Sequence, residues 1–236
     1  MRSRFLAVAA VCALALAGCS KPQEDKAFGE KVRAYLLEHP EVIQEAIGKL
    51  QDKQIAQARE QYKAAIVANR QALERDPRDF VANPNGKITV TEFYDYRCAH
   101  CINAAPKVLD LIKANPDIRF VFKELPIFGA ESDRAARAAI AVKAKGGDYV
   151  GLYQAFMSAR PLNDGVIDAT LRKNGIEPAA IDTPEANRQL ADIQKLASKL
   201  GVEGTPAFVV GDRLIPGEDI DALKAGIAAA RNGGKS

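Results

Sequence analysis

The chain is 236 residues long, 47% hydrophobic and 27% charged, a composition able to bury one substantial core beside a smaller accessory region. Its 33 basic and 30 acidic residues leave a formal charge of +3, and there is no tryptophan. With no basic stripe along the sequence, that balance gives no electrostatic footprint for nucleic acid.

The first elements in chain order belong to targeting rather than folding. Arg2 and Arg4 form a basic start, and Phe5 to Ala17 is an apolar run too short to span a bilayer as a helix. It ends in Leu16-Ala17-Gly18-Cys19, which resembles a lipobox, the cleavage signal of bacterial lipoproteins. Residues 1–18 then read as a lipoprotein-type signal peptide and Cys19 as the lipidated new N-terminus. Ser20 after the cysteine resembles the pattern sent to the outer membrane rather than kept at the inner one. An ordinary secretory signal followed by an unrelated cysteine is the alternative. Losing Arg2 and Arg4, and no acid, leaves the exported chain at +1. Cys12 departs with the signal and Cys19 carries lipid, so Cys98 and Cys101 alone remain in an oxidising compartment.

Residues 20–27 read as a polar tether. A helix is expected from Phe28 to Glu38, with Phe28, Val32, Tyr35 and Leu36 on one face. Pro40 suits the start of a second helix, from Glu41 to about Glu74. Its apolar positions, Ile43, Ile47, Leu50, Ile55, Ala58, Tyr62, Ile66 and Leu73, make a thin stripe, and Gln, Lys, Arg and Glu fill the middle. Such a helix buries little by itself, so residues 19–80 are either a solvated spacer or an oligomerisation region. From Phe80 the texture changes. Asn83-Pro84-Asn85-Gly86 is a turn, Ile88 to Tyr94 a strand, Cys98 to Ala114 a helix with Pro106 inside it, and Ile118 to Lys123 a second strand. Four helices follow: Glu131–Lys145, Asp148–Ser158, Asp164–Asn174 and Pro184–Leu200. A hairpin of Ala207–Val210 and Leu214-Ile215 turns at Gly211-Asp212, and a helix from Asp219 to Ala230 closes the chain. The fold class is α/β, with residues 81–236 as one domain and a helical insertion at about 127–200.

Chemistry concentrates in Cys98-Ala99-His100-Cys101. A dithiol at the start of a helix after a strand suits thiol–disulfide exchange, because unsatisfied N–H groups and the positive dipole end favour a thiolate. Cys98 lies nearer that end and is the candidate nucleophile. Cys101, one turn further in, is placed to resolve a mixed disulfide. His100 between them would favour the Cys98 thiolate as an imidazolium or hydrogen-bond donor, which hints at an oxidising poise. Zinc would need two further N or S ligands, and only His100 and the remote His39 are on offer. A c-type haem would need histidine where Ile102 stands. No cofactor and no metal are therefore expected, although a bare dithiolate could take copper(I), and a copper-binding envelope lipoprotein is the alternative of another class. An inert disulfide over two intervening residues would restrict the unfolded chain little.

Over 100 residues later, Gly204-Thr205-Pro206-Ala207-Phe208-Val209-Val210 puts a proline at the mouth of a strand, where it removes a ladder hydrogen bond. The Cys-x-x-Cys after a strand, the helical block and the Thr-Pro before a hairpin and final helix together resemble the thioredoxin-like DsbA family of envelope oxidoreductases, across roughly residues 81–230. The resemblance implies a thioredoxin-like fold with an inserted helical subdomain, a cis Pro206 beside Cys98, and a Thr205 backbone that pairs with the substrate peptide. It also implies a Glu–Lys pair beneath the disulfide, here Glu92 with Lys123, able to relay protons; two unrelated or solvent-facing charges are the alternative. Ahead of that domain, Val32 to Ile43 carries a resemblance to the N-terminal region of the ScsC branch, whose members are oligomeric and can isomerise disulfides. The implied partners are exported cysteine-containing proteins, a membrane redox protein that recycles the pair, other copies of the chain, and the membrane through the lipid anchor, facing the periplasm. A homo-oligomeric isomerase or reductase is the leading expectation. A monomeric dithiol oxidase with the helical arm as a spacer is the rival.

Overall fold

The structure, a computed structural model, describes residues 26–233. The signal segment, Cys12 and Cys19 lie outside the described residues. The chain forms two compact units, one ending at Ile55 and the other beginning at Ala56.

In the first unit, α1 (Lys26–Glu38) gives way at His39 to α2 (Glu41–Ala68). Pro40 needs no donor at that junction, and the His39 carbonyl receives the N–H of Val42 at 3.2 Å. No residue of α1 is buried. Ile43, Ile47, Leu50 and Ile55 of α2 are all exposed, at helical spacing. No helix among the described residues is long and apolar enough to cross a membrane.

In the second unit the sequence predicts α2 running on to Glu74, but the helix breaks at Asn69. The Asn69 side chain donates to the Ala65 carbonyl at 2.8 Å, competing with the helical backbone, and a separate α3 (Arg70–Glu74) follows. Ile66 and Leu73 from this stretch are fully buried, so the stretch contributes to the core through these two side chains while its outer face stays exposed.

Next come β1 (Phe80–Ala82), β2 (Ile88–Tyr94), α4 (Ala99–Ala114) and β3 (Ile118–Glu124). After them stand α5 (Ala130–Ala144), α6 (Tyr149–Ser158), α7 (Asp164–Lys173), a 3-10 turn (Pro178–Ala180) and α8 (Pro184–Lys199). The chain closes with β4 (Ala207–Val210), β5 (Arg213–Pro216) and α9 (Ile220–Arg231). The sheet order is β1-β3-β2-β4-β5, with β2 parallel to β3 and the other pairs antiparallel. β1 was not expected: three residues are too few for an alternation to register. At the turn before β2, a Cβ on Gly86 would collide with the backbone where β3 begins, at Ile118 and Arg119, which leaves room for glycine alone.

The alternation of β2 sorts the two cores. Val90 and Tyr94 face one side with Phe120, Phe122, Phe208 and Val210, covered by α4, α9 and the helices α5 to α7. Phe93 faces the other with Val209, covered by Ile66, Leu73 and the Ile193–Leu200 face of α8. Since β2 and β3 are covered on both sides, β3 has every residue buried, Arg119, Lys123 and Glu124 among them.

Candidate active site

The site is built where β2 ends. Tyr94 closes the strand, Asp95-Tyr96-Arg97 turns the chain, and Cys98 becomes the N-cap of α4 with extended backbone (φ −70°, ψ 121°). Asp95 fixes that turn. Its Oδ1 accepts from the Arg97 N–H at 2.7 Å and from Ser132 Oγ at 2.8 Å. Its Oδ2 accepts from the N–H groups of Ile127 and Phe128 at 2.7 and 3.1 Å. One buried carboxylate thus ties the cysteine turn to the loop after β3 and to the start of α5. Sequence reasoning missed it; the available signal was an aspartate at a strand-to-helix turn, where its side chain bonds nearby backbone.

Cys98 and Cys101 are both free thiols and both buried. Cys98 Sγ donates to the Thr205 carbonyl at 3.0 Å, so the remote Thr-Pro segment does meet the cysteines. The Thr205–Pro206 peptide is cis, and the Pro206 carbonyl is held by the Gly217 N–H at 2.8 Å. Burial pushes the Cys101 thiol well above its ordinary range; a backbone hydrogen bond at Asp95 opposes that shift, and the charge of Glu92 adds to it. Left alone, Cys101 keeps its proton.

Glu92 is fully buried on the same side of the sheet as Tyr94, and neither carboxyl oxygen has a hydrogen-bond partner among the described residues. Desolvation pushes it up to about 8. The expected Glu92–Lys123 pair does not form. In the parallel register Glu92 stands beside Phe122 and Lys123 beside Phe93, so the two charges point to opposite faces of the sheet. Lys123 instead donates to Asp79 Oδ2 at 2.6 Å, both side chains buried. Asp79 is raised to about 6, desolvation outweighing the attraction of Lys123.

His100 turns away from the protein interior. Its side chain is 67% exposed, and Nδ1 lies 3.1 Å from Glu218 Oε1, just ahead of α9. A carboxylate there offsets part of the positive charge that an imidazolium would bring to the cysteines.

A second group escaped sequence reasoning because each member reads as ordinary core. Glu124, at the end of β3, accepts from Tyr149 Oη at 2.5 Å and from Tyr94 Oη at 3.4 Å. Tyr94 Oη is also 2.7 Å from Tyr149 Oη and 2.8 Å from Tyr96 Oη. Burial raises Glu124 to about 7, against the hydrogen bond from Tyr149.

A dithiol at the N-terminus of a helix, entered from a central strand and abutted by the carbonyl of the residue before a cis-proline, defines a thioredoxin-like thiol–disulfide oxidoreductase. Residues 89–228 match the DSBA-like thioredoxin domain, and residues 24–57 match the N-terminal domain of the copper resistance protein ScsC. The chain belongs to the DSBA-like thioredoxin domain family. Among solved structures, a thioredoxin-like oxidoreductase from Silicibacter pomeroyi is 37% identical, covering 70% of this chain and 98% of its own, with a TM-score of 0.65. BcfH of Salmonella enterica Typhimurium is 31% identical, with coverages of 86% and 94% and a TM-score of 0.70. ScsC of Proteus mirabilis is 27% identical, with coverages of 89% and 97% and a TM-score of 0.65. Curated relatives include a Na(+)/H(+) antiporter, NhaA 3, from Salinispora tropica, 29% identical over 165 residues; the match takes in 66% of this chain and 25% of that protein. The chain thus spans about a quarter of the length of the curated relatives it matches.

Proposed function

We propose that the protein exchanges disulfides with exported cysteine-containing proteins, with Cys98 attacking and Cys101 resolving, and that it works as a homo-oligomeric isomerase or reductase. The observation that carries this reading is the Cys98 sulfur at the N-cap of α4, 3.0 Å from the Thr205 carbonyl. A client strand pairing with the Thr205 backbone beside Pro206 would bring its own sulfur to Cys98. The Cys98 thiolate attacks the client disulfide, forming a mixed disulfide and releasing one client thiolate. Cys101 then transfers its proton to Glu92 and attacks Cys98, releasing the second. A resolving thiol held so strongly protonated needs a base close by, and an acid raised to about 8 suits that role near neutral pH. Lys123 has no part in it. His100, partnered by Glu218, adjusts the poise.

Residues 1–18 act as the signal, Cys19 carries lipid at the periplasmic face of the cell envelope, and a membrane redox protein recycles the cysteines. The tether and the helical arm end near residue 55 rather than residue 80, because Ile66 and Leu73 already pack in the core of the thioredoxin-like domain that follows. Two features support an oligomer: the match of residues 24–57 to the ScsC N-terminal domain and the exposed stripe of Ile43, Ile47, Leu50 and Ile55.

Turnover of insulin disulfides tests the chemistry. Cys98→Ala abolishes it on this reading, and undiminished turnover would sink the catalytic account. Scrambled ribonuclease tests the assembly. The deletion should remove residues 26–55 only, because Ile66 and Leu73 belong to the core. A truncated protein that sediments as a monomer and no longer isomerises supports the reading. Retained isomerisation would favour the monomeric oxidase with a spacer arm.

A further inference from the structure

The dithiol account leaves one buried group unused. Glu124 is bonded to Tyr149, Tyr149 to Tyr94, and Tyr94 to Tyr96, at 2.5, 2.7 and 2.8 Å. The chain of hydroxyls is continuous, and each can both donate and accept a proton. It ends at Tyr96, two residues before Cys98 and in the same core cluster as both cysteines. The Tyr96 ring packs edge-on against Tyr153, whose own hydroxyl is buried and without a hydrogen-bond partner among the described residues. Glu92 and Tyr94 are alternate residues of β2 and share a face, and Tyr94 is in register with Glu124. Two carboxyls therefore stand under one site. Among the described residues Glu92 has no hydrogen-bonded route away from it, whereas Glu124 has one.

We propose that Glu124 is a second proton-holding group of the dithiol site, a positioning residue that acts on Cys98 and Cys101 through Tyr149, Tyr94 and Tyr96. The inference rests on the exchange chemistry proposed above. When the site disulfide is reduced by a client dithiol, two electrons break the Cys98–Cys101 bond and the client sulfurs join. Of the two client protons, one goes to Cys101. The other is taken by the Glu124 carboxylate, leaving Cys98 as the thiolate. Charge balances, since one carboxylate is exchanged for one thiolate. Holding that proton inside compensates the buried negative charge that reduction creates.

The groups that face Glu124 allow this. Tyr149 of α6 donates to it, Tyr94 of β2 lies 3.4 Å from it, Tyr96 lies one hydroxyl beyond, and Asp79 and Lys123 act on it with opposite signs. Tyr96 senses the charges of both Glu124 and Glu92, so it links the two acids.

Two measurements on the full chain test the proposal. The first is the infrared difference between reduced and oxidised protein near neutral pH. Wild type and Glu92→Gln should both gain the carbonyl band of a protonated carboxyl on reduction, and Glu124→Gln should lose that gain. The second is the equilibrium constant with glutathione between about pH 6 and 8. Glu124→Gln should remove about three- to tenfold of its pH dependence, the effect of a carboxyl whose pKa moves by about half to one unit with redox state. Tyr149→Phe should shift the inflection without abolishing it. A Glu124→Gln profile or band that superimposes on wild type overturns the proposal. So does the absence of any gain in Glu92→Gln, which decides the matter should Glu124→Gln not fold. A cysteine pair that never equilibrates with glutathione would refute the dithiol reading instead.

Discussion

Glu92→Gln should stabilise the reduced protein increasingly as the pH rises. The carboxyl is fully buried and has no hydrogen-bond partner among the described residues, and burial lifts it from an ordinary carboxylate value to about 8. An acid with a raised folded-state pKa binds its proton more tightly in the native than in the unfolded chain. Its contribution is therefore fully present below the unfolded pKa and is lost as the pH climbs through the folded one. Between pH 5 and 8 the unfolded chain releases this proton while the native state largely keeps it. Each pH unit in that window costs about 1.4 kcal/mol, so the wild type should lose about 3–4 kcal/mol that Glu92→Gln retains. The raised carboxyls of Glu124 and Asp79 tilt both curves in the same direction and cancel in the difference. The buried amide of the variant carries its own desolvation cost, but that cost does not vary with pH. Urea unfolding of the reduced proteins at a series of pH values gives the difference directly. Parallel curves for the two proteins would refute the reasoning.

Asp95→Ala should destabilise the protein by about 2–4 kcal/mol, since it leaves three partly buried backbone N–H groups and the buried Ser132 hydroxyl without their carboxylate; a chemical-denaturation loss under about 1 kcal/mol would show that the clamp is not needed. Asp79→Ala, which strands Lys123 as an unpaired buried ammonium, should cost about 3–5 kcal/mol. The double change with Lys123→Met should recover most of that in a double-mutant cycle, and a simple sum of the two losses would contradict a direct pair. Cys101→Ala should accumulate a mixed disulfide between Cys98 and a client peptide that non-reducing electrophoresis detects, because the resolving thiol is gone; rapid turnover without any trapped adduct would rule out its assigned role.

Most of the fold was legible because long elements carry their own periodicity. β2 was read to the residue, and α4 and the turn of the final hairpin nearly so, since each joins a strong pattern to a defined boundary. The errors have local causes. Asn69 ends α2 through a side-chain bond that competes with the helix, and propensity summed over a window does not register one such bond. β1 is short and draws its strand character from pairing with β3, a partner some forty residues away. The boundary of the arm was misplaced for a related reason: Ile66 and Leu73 look like two more positions on a thin stripe until α8 and Phe93 are brought against them.

The site was legible wherever its chemistry is held by spacing along the chain, and illegible wherever it is held by register across the sheet. Cys98 and Cys101 sit three apart on one helix, so their relation is fixed locally, and Pro206 betrayed itself by standing where a strand needs a donor. Glu92 was correctly singled out as a charge inside a strand, but its partner depended on which β3 residue stands opposite. One position decides the matter: with Phe122 beside Glu92, Lys123 necessarily faces Asp79 on the far side. The same register puts Tyr94 beside Glu124, and a tyrosine that looks like core becomes the hinge of a hydrogen-bonded chain. Glu92, stripped of its expected cation, is left as an acid that burial alone adjusts, and this is what makes its titration depend on the protein's interior rather than on salt.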